Sequence, residues 1–187
     1  MKTALLIIDY INGIINGSCK AYAAAHPIVK NTNKLIVHCR QRKILIYFVR
    51  VAFDKNYTDA PKHSPIFSTA KQKELFQIGN VDVEFIPELD IRSNDIIINK
   101  TATSPFHSIG LLESLHANKI EKLIFTGVAT DNAINIGARE AHDMGFYTVI
   151  AEDACGASTE EFHQASLTLL KKIANEITKT DELIQKL

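Results

Sequence analysis

At 187 residues the chain is long enough to bury one sizeable core, and its 46% apolar and 22% charged residues mark it as globular. Lysine plus arginine number 21, as do aspartate plus glutamate, so the formal charge is zero. That balance argues against nucleic-acid and membrane-surface proteins, which need a basic face.

The chain opens on a short apolar run that Asp9 ends, too short for a signal peptide. No stretch has the length to span a bilayer. Three cysteines, Cys19, Cys39 and Cys155, show no metal spacing and fit a reducing compartment. A cytoplasmic protein is expected.

Ala4 to Ile8 has the continuous apolar pattern of a strand buried on both faces. His26 to Arg42 reads as a helix and Ile44 to Val49 as a second strand. From Arg50 to Asp90 the pattern breaks down, punctuated by Pro61, Pro65, Gly79 and Pro87, with a short helical piece at Lys71 to Phe76. So long a loop usually shapes a binding site. Asp95 to Asn99 is a third strand ending at Lys100, and Ser104-Pro105 opens a helix to about Asn118. Lys122 to Thr126 is the fourth strand. After Gly127, Thr130 or Asp131 is placed to cap a helix from Asn132 to Met144. Tyr147 to Ala151 is the fifth strand, Thr159 begins a helix to about Ala174, and Glu176 to Thr178 and Asp181 to Leu187 are a closing strand and helix.

Strands alternating with helices imply parallel βαβ units. The expected fold is α/β: one domain, residues 1–187, with an open, doubly wound, three-layer α/β/α architecture and a mostly parallel six-stranded sheet in the order 3-2-1-4-5-6. Ligands of such sheets bind beyond the carboxyl ends of strands. Asp9, Lys100 and Ala133 all lie just past such ends. The turn after the fourth strand aims free N–H groups and a helix dipole at one point, where an acyl-transfer enzyme would hold its nucleophile and oxyanion. The side chain offered there is the methyl of Ala133. No glycine-rich dinucleotide or P-loop motif is present, and no cofactor is expected.

Four segments in order carry a resemblance: Leu5-Leu6-Ile7-Ile8-Asp9; Asn99-Lys100 followed by a short gap and Phe106; Gly127-Val128-Ala129-Thr130 with Ala138-Arg139-Glu140-Ala141; and Val149 to Ala154. Together they resemble the isochorismatase-like superfamily of hydrolases, which includes nicotinamidases, N-carbamoylsarcosine amidases and isochorismatases. The resemblance covers about Ala4 to Thr180. It implies a small-molecule substrate and a homo-oligomer, dimer or tetramer. It assigns the catalytic aspartate to Asp9, the lysine to Lys100 and the cysteine position to Ala133. N–H groups near Ala129 and Ala133 become the anion site, with a non-proline cis peptide at Val128–Ala129. Tyr10, Asn12, Thr130 and Asn132 fall around the implied pocket, and Phe106 is either a pocket wall or helix-start core.

Three departures matter. Ala133 has no lone pair, so covalent catalysis at that position is impossible. Three readings stay open: an isochorismatase-type hydrolase using Asp9 and Lys100 as acid–base pair, with an alanine natural to its branch; a nicotinamidase- or carbamoyl-amidase-type cysteine hydrolase inactivated by Cys→Ala at 133; and a non-catalytic small-molecule binder. Ile11 stands where the family often has glutamine. The metal-binding Asp-x-His spacing of nicotinamidases is missing around Asp54, and no metal is expected.

Overall fold

The computed structural model describes residues 1–187. Six strands form one sheet: β1 (Thr3–Ile8), β2 (Leu45–Val51), β3 (Ile96–Lys100), β4 (Lys122–Val128), β5 (Tyr147–Gly156) and β6 (Glu176–Thr178). Their order is β3-β2-β1-β4-β5-β6, and every neighbouring pair is parallel. The expected architecture and strand order are those observed.

The physical reason is clearest in β1. Successive side chains of a strand point to opposite faces. Leu5 and Ile7 enter one apolar cluster, with Ile28, Leu35, Ile36 and Leu183. Ala4, Leu6 and Ile8 enter the other, with Leu111, Leu115, Ala138 and Leu167. All five are fully buried. Burying each leucine or isoleucine is worth about 1.5–3 kcal/mol. Only a sheet covered on both faces accepts such a run. The helices α1 (Lys20–Ala25), α2 (Ile28–Gln41) and α7 (Thr180–Lys186) lie on the first side, and α4 (Leu111–Ala117), α5 (Asn135–Asp143) and α6 (Glu160–Leu170) on the second. The remaining helix, α3 (Pro65–Gln72), belongs to the long connection after β2. No helix is long and apolar enough to cross a membrane.

Several local expectations are corrected. The helix expected from Ser104 starts only at Leu111. Ser104 Oγ instead accepts from the Phe106 N–H, Ser108 donates to the Pro105 carbonyl, and Gly110, at φ 93°, admits the chain to α4. In the long connection the helix is capped by Ser64 rather than beginning at Lys71, and positive φ at Glu74 and Phe76 ends helical geometry there. A π-helical turn at Ile14–Ser18 and the helix α1 carry no clear periodic signal in the sequence. A second π-helical turn, Thr130–Ile134, precedes α5, and neither Thr130 nor Asp131 caps it. The fifth strand continues to Gly156, because Cys155 and Gly156 pair with Gly127 and Val128 beyond a register shift. His163, on α6, is buried.

Gly127 is demanded by close packing. Its φ is 133°, and a Cβ there would come within 2.1 Å of the Ile8 carbonyl oxygen. Only glycine lets β4 pass the end of β1 this closely while its chain turns.

Candidate active site

The site lies beyond the carboxyl ends of β1, β3 and β4. Asp9 follows β1 with φ 58°. Its N–H still donates to the Val49 carbonyl of β2, so its backbone is anchored on the sheet while its carboxylate turns over the strand ends. Aspartate tolerates this left-handed conformation better than most residues. The carboxylate accepts the Val51 N–H on Oδ1 at 2.7 Å and faces the Lys100 ammonium on Oδ2 at 2.9 Å.

Lys100 ends the edge strand β3, two strands away from β1. Val51 bridges the gap: it pairs in register with Lys100 and donates its N–H to Asp9. The ammonium also donates to the Ala102 and Thr103 carbonyls, each at 3.0 Å, so its three donors are matched by three acceptors. Asp9 and Lys100 are 3% and 2% exposed. At such burial a lone charge would be costly, and each is the other's compensation. Burial raises the Asp9 carboxyl pKa above its ordinary value, while the Lys100 charge and the hydrogen bonds of Lys100 and Val51 pull against it.

The other wall comes from β4 and the turn that follows. The Val128–Ala129 peptide is cis. Ala129 lies between this bond and the π-helical turn, and its N–H has no hydrogen-bond partner within the protein. Inside that turn Ala133 presents its methyl group, 3% exposed.

Asp9, Lys100, Ala129, Asn132 and Ala133 line one cavity of about 110 Å³. That volume suits a small polar group and a few attached carbons. Apart from Ser18 and Thr103, the cavity's remaining walls are apolar and come from segments that sequence reasoning left without a role. Ile14 belongs to the first π-helical turn; Ile66, Phe67 and Phe76 come from the long connection; Val51 ends β2. Phe67 is held by Ile11, Val51, Phe53 and Tyr57 in a small apolar cluster of its own. The one readable signal for Ile66, Phe67 and Phe76 is the length of the Arg50 to Asp90 segment.

Four residues placed around the pocket stand outside this cavity. Tyr10 is wholly buried and donates its hydroxyl to the Ala154 carbonyl at 2.9 Å. Asn12 ties the long connection down, donating to the Val81 and Glu84 carbonyls. Phe106 packs against the second core cluster and stacks with Phe146. Thr130 is buried with its hydroxyl 2.8 Å from His163 Nδ1. Tyr10 and Thr130 directly follow the cavity residues Asp9 and Ala129 in the chain, but their side chains point elsewhere.

Cys155 is wholly buried in β5, and burial pushes its thiol pKa well up. It is a packing residue, with no ionised thiolate at neutral pH. No group of three or more His, Cys, Asp or Glu side chains is arranged to hold a metal.

Comparison with known proteins agrees with this architecture. The isochorismatase domain family matches residues 3–182. A ureidoacrylate amidohydrolase, RutB, of Acinetobacter baylyi is 26% identical over 202 residues, covering 98% of this chain and 82% of the relative. A protein of Arabidopsis thaliana named "Probable inactive nicotinamidase" is 31% identical over 178 residues, covering 92% of this chain and 89% of that one. Among solved structures, a cysteine hydrolase from Pseudomonas syringae pv. phaseolicola 1448A superimposes with a TM-score of 0.88 at 23% identity, covering 98% of this chain and 91% of that chain. At that identity the likeness speaks for the fold.

Proposed function

This chain belongs to the isochorismatase family, a family of hydrolases, and from that premise we propose that it is a small-molecule hydrolase working by acid–base chemistry on Asp9 and Lys100 without a covalent intermediate. The observation that carries this reading is the Lys100–Asp9 pair at 2.9 Å, opening on the same cavity as the Ala133 methyl.

Each group has a role that its surroundings allow. Asp9 is the acid: burial raises its pKa, which keeps a proton within reach nearer neutrality than an exposed aspartate could. Lys100 is a fixed positive charge. With its donors spent on Asp9 and two carbonyls, it steadies the carboxylate after proton loss. The unpartnered Ala129 N–H supplies an anion-facing donor. Ala133 leaves water as the nucleophile. A vinyl ether fits these parts. Asp9 gives its proton to the vinyl carbon, water adds to the resulting oxocarbenium carbon, and the hemiketal collapses to ketone and alcohol. The proton released from that water returns to Asp9.

A second reading has its own support. The RutB relative is named an amidohydrolase and the Arabidopsis relative an inactive nicotinamidase. A thiol at position 133 would sit in the cavity that holds Asp9, so the chain could be an amidase that lacks its nucleophile.

Steady-state hydrolysis of an enolpyruvyl-type vinyl ether and of small primary amides tests both, using the chain, Asp9→Asn and Ala133→Cys. The proposal expects vinyl-ether cleavage by the chain, reduced about 10²-fold or more in Asp9→Asn. Amide turnover confined to Ala133→Cys, with no ether cleavage by the unchanged chain, would overturn it in favour of the second reading.

A further inference from the structure

The cavity that holds Asp9 and Lys100 is built from two unlike sets of walls. The strand ends and the turn after β4 contribute Asp9, Lys100, Asn132 and Ala129, the last with its free N–H. The first π-helical turn and the long connection contribute Ile14, Ile66, Phe67 and Phe76, with the neutral hydroxyl of Ser18 as their one polar side chain.

The apolar walls are fixed in place. Phe67 packs edge-on against Phe53, with ring centroids 5.1 Å apart, inside its own small cluster. Phe76 is held from two sides. Its N–H donates to Asp82 Oδ2 at 2.5 Å. Its ring lies against Gly13, where a Cβ would come within 2.8 Å of the ring atom Cε1, so the missing side chain at 13 leaves the ring its place. Ile66 is 52% exposed and forms part of the rim.

Charge separates the two sets further. Lys100 is the only cationic side chain lining the cavity, and its three donors are taken by Asp9 and by the carbonyls of Ala102 and Thr103. The walls from the connecting segments carry no lysine, arginine or histidine. A carboxylate set against Phe67 and Phe76 would lose its water and gain no partner, which is costly. An alkyl group in the same place gains by leaving water.

We propose that this site takes substrates whose non-reacting tail is apolar, uncharged and only a few carbons long, with Ile66, Phe67 and Phe76 as the residues that determine this specificity. The length limit follows from the cavity's 110 Å³, against the roughly 150 Å³ of a cavity that takes a benzene ring. This deepens the hydrolase reading and rests on it for the placing of the reacting group at Asp9, Lys100 and the Ala129 N–H. The preference for the tail is the same whether that group is a vinyl ether or an amide.

The test measures Kd by NMR titration of the full chain with two pairs of stable ligands. 2-Isobutoxypropanoate and 2-(carboxymethoxy)propanoate are saturated mimics of a vinyl ether; 4-methylpentanamide and succinamate carry an amide. Within each pair an isopropyl group replaces a carboxylate of the same shape, and nothing else changes. The expected result is that the isopropyl member binds at least tenfold more tightly in at least one pair. Ile66→Lys, at the exposed rim, narrows that ratio at least fivefold, and Phe76→Ala weakens the isopropyl member at least fivefold. Equal or tighter binding of the acid-tailed member, a ratio that Ile66→Lys leaves unchanged, or no binding of any of the four would overturn the assignment. A tail preference confined to the amide pair, with no vinyl-ether cleavage by the chain, would sink the acid–base reading and leave the tail assignment standing.

Discussion

Replacing Lys100 by methionine keeps the volume of the side chain and removes its charge. The ammonium is 2% exposed and has three acceptors: Asp9 Oδ2 and the carbonyls of Ala102 and Thr103. Without it Asp9 keeps one donor, the Val51 N–H. Removing one member of a buried pair leaves an uncompensated charge and costs about 3–5 kcal/mol. That is a large part of the 5–15 kcal/mol that stabilises a typical domain. The cost must also depend on pH. The Asp9 pKa in the folded protein already lies above its ordinary value of 3.8, and Lys100 is the main influence holding it down. Losing Lys100 raises it further. A folded-state pKa above the unfolded one favours folding at low pH, and that advantage is lost as pH rises through the folded pKa. The penalty of Lys100→Met is therefore smallest near pH 4 and grows toward neutrality. Urea denaturation midpoints of the chain, Lys100→Met and Asp9→Asn/Lys100→Met, at pH 4.5 and 7.5, measure it. The double variant removes the stranded charge and recovers part of the loss. A penalty below about 1 kcal/mol at pH 7.5, or one that does not change with pH, would show that the pair is not the buried, mutually dependent unit described here.

Two further outcomes follow from backbone packing and from burial. Gly127→Ala pushes a methyl into the Ile8 carbonyl at 2.1 Å and is destabilising by about 3 kcal/mol or more, read as a lowered midpoint in thermal or urea unfolding. Burial pushes the Cys19 thiol up to about 11 and the Cys39 thiol to about 12, and raises Cys155 as well, so all three are protonated at pH 8. A thiol-reactive dye then reports almost no fast-reacting cysteine in the native chain and three after denaturation; a fast native thiol would contradict the burial.

How much of this could be read beforehand differs residue by residue. The run Ala4 to Ile8 announces a strand buried on both faces because its side chains are apolar at odd and even positions alike, and the clusters on the two sides of the sheet take them alternately. Asp9 and Lys100 were legible as strand-end residues, and Ala133 as the residue presented by the turn; the resemblance then gave them roles. The expected strand order already puts Lys100 two strand spacings from Asp9; how the two meet depends on the Val51 register and on the positive φ of Asp9, which the sequence does not encode locally.

None of the other four residues expected around the pocket lines this cavity: Tyr10 and Thr130 directly follow Asp9 and Ala129 in the chain, Asn12 lies two residues before Ile14, and Phe106 packs on the second core cluster. A left-handed step at Asp9, a turn at Ser104 and a π-helical turn at Thr130 send the neighbouring side chains to Ala154, Val81, Phe146 and His163 instead. The apolar cavity walls Phe67 and Phe76 were unreadable for a related reason: a loop residue has no periodicity, so only packing assigns its face. The sequence by itself determined the layers, the strand pattern and the chemistry available at the strand ends, since burial and side-chain period are local properties of the chain. Tertiary structure alone decided which of those groups meet, because a contact between Asp9 and Lys100 is set by strand register and backbone turns that no local pattern encodes.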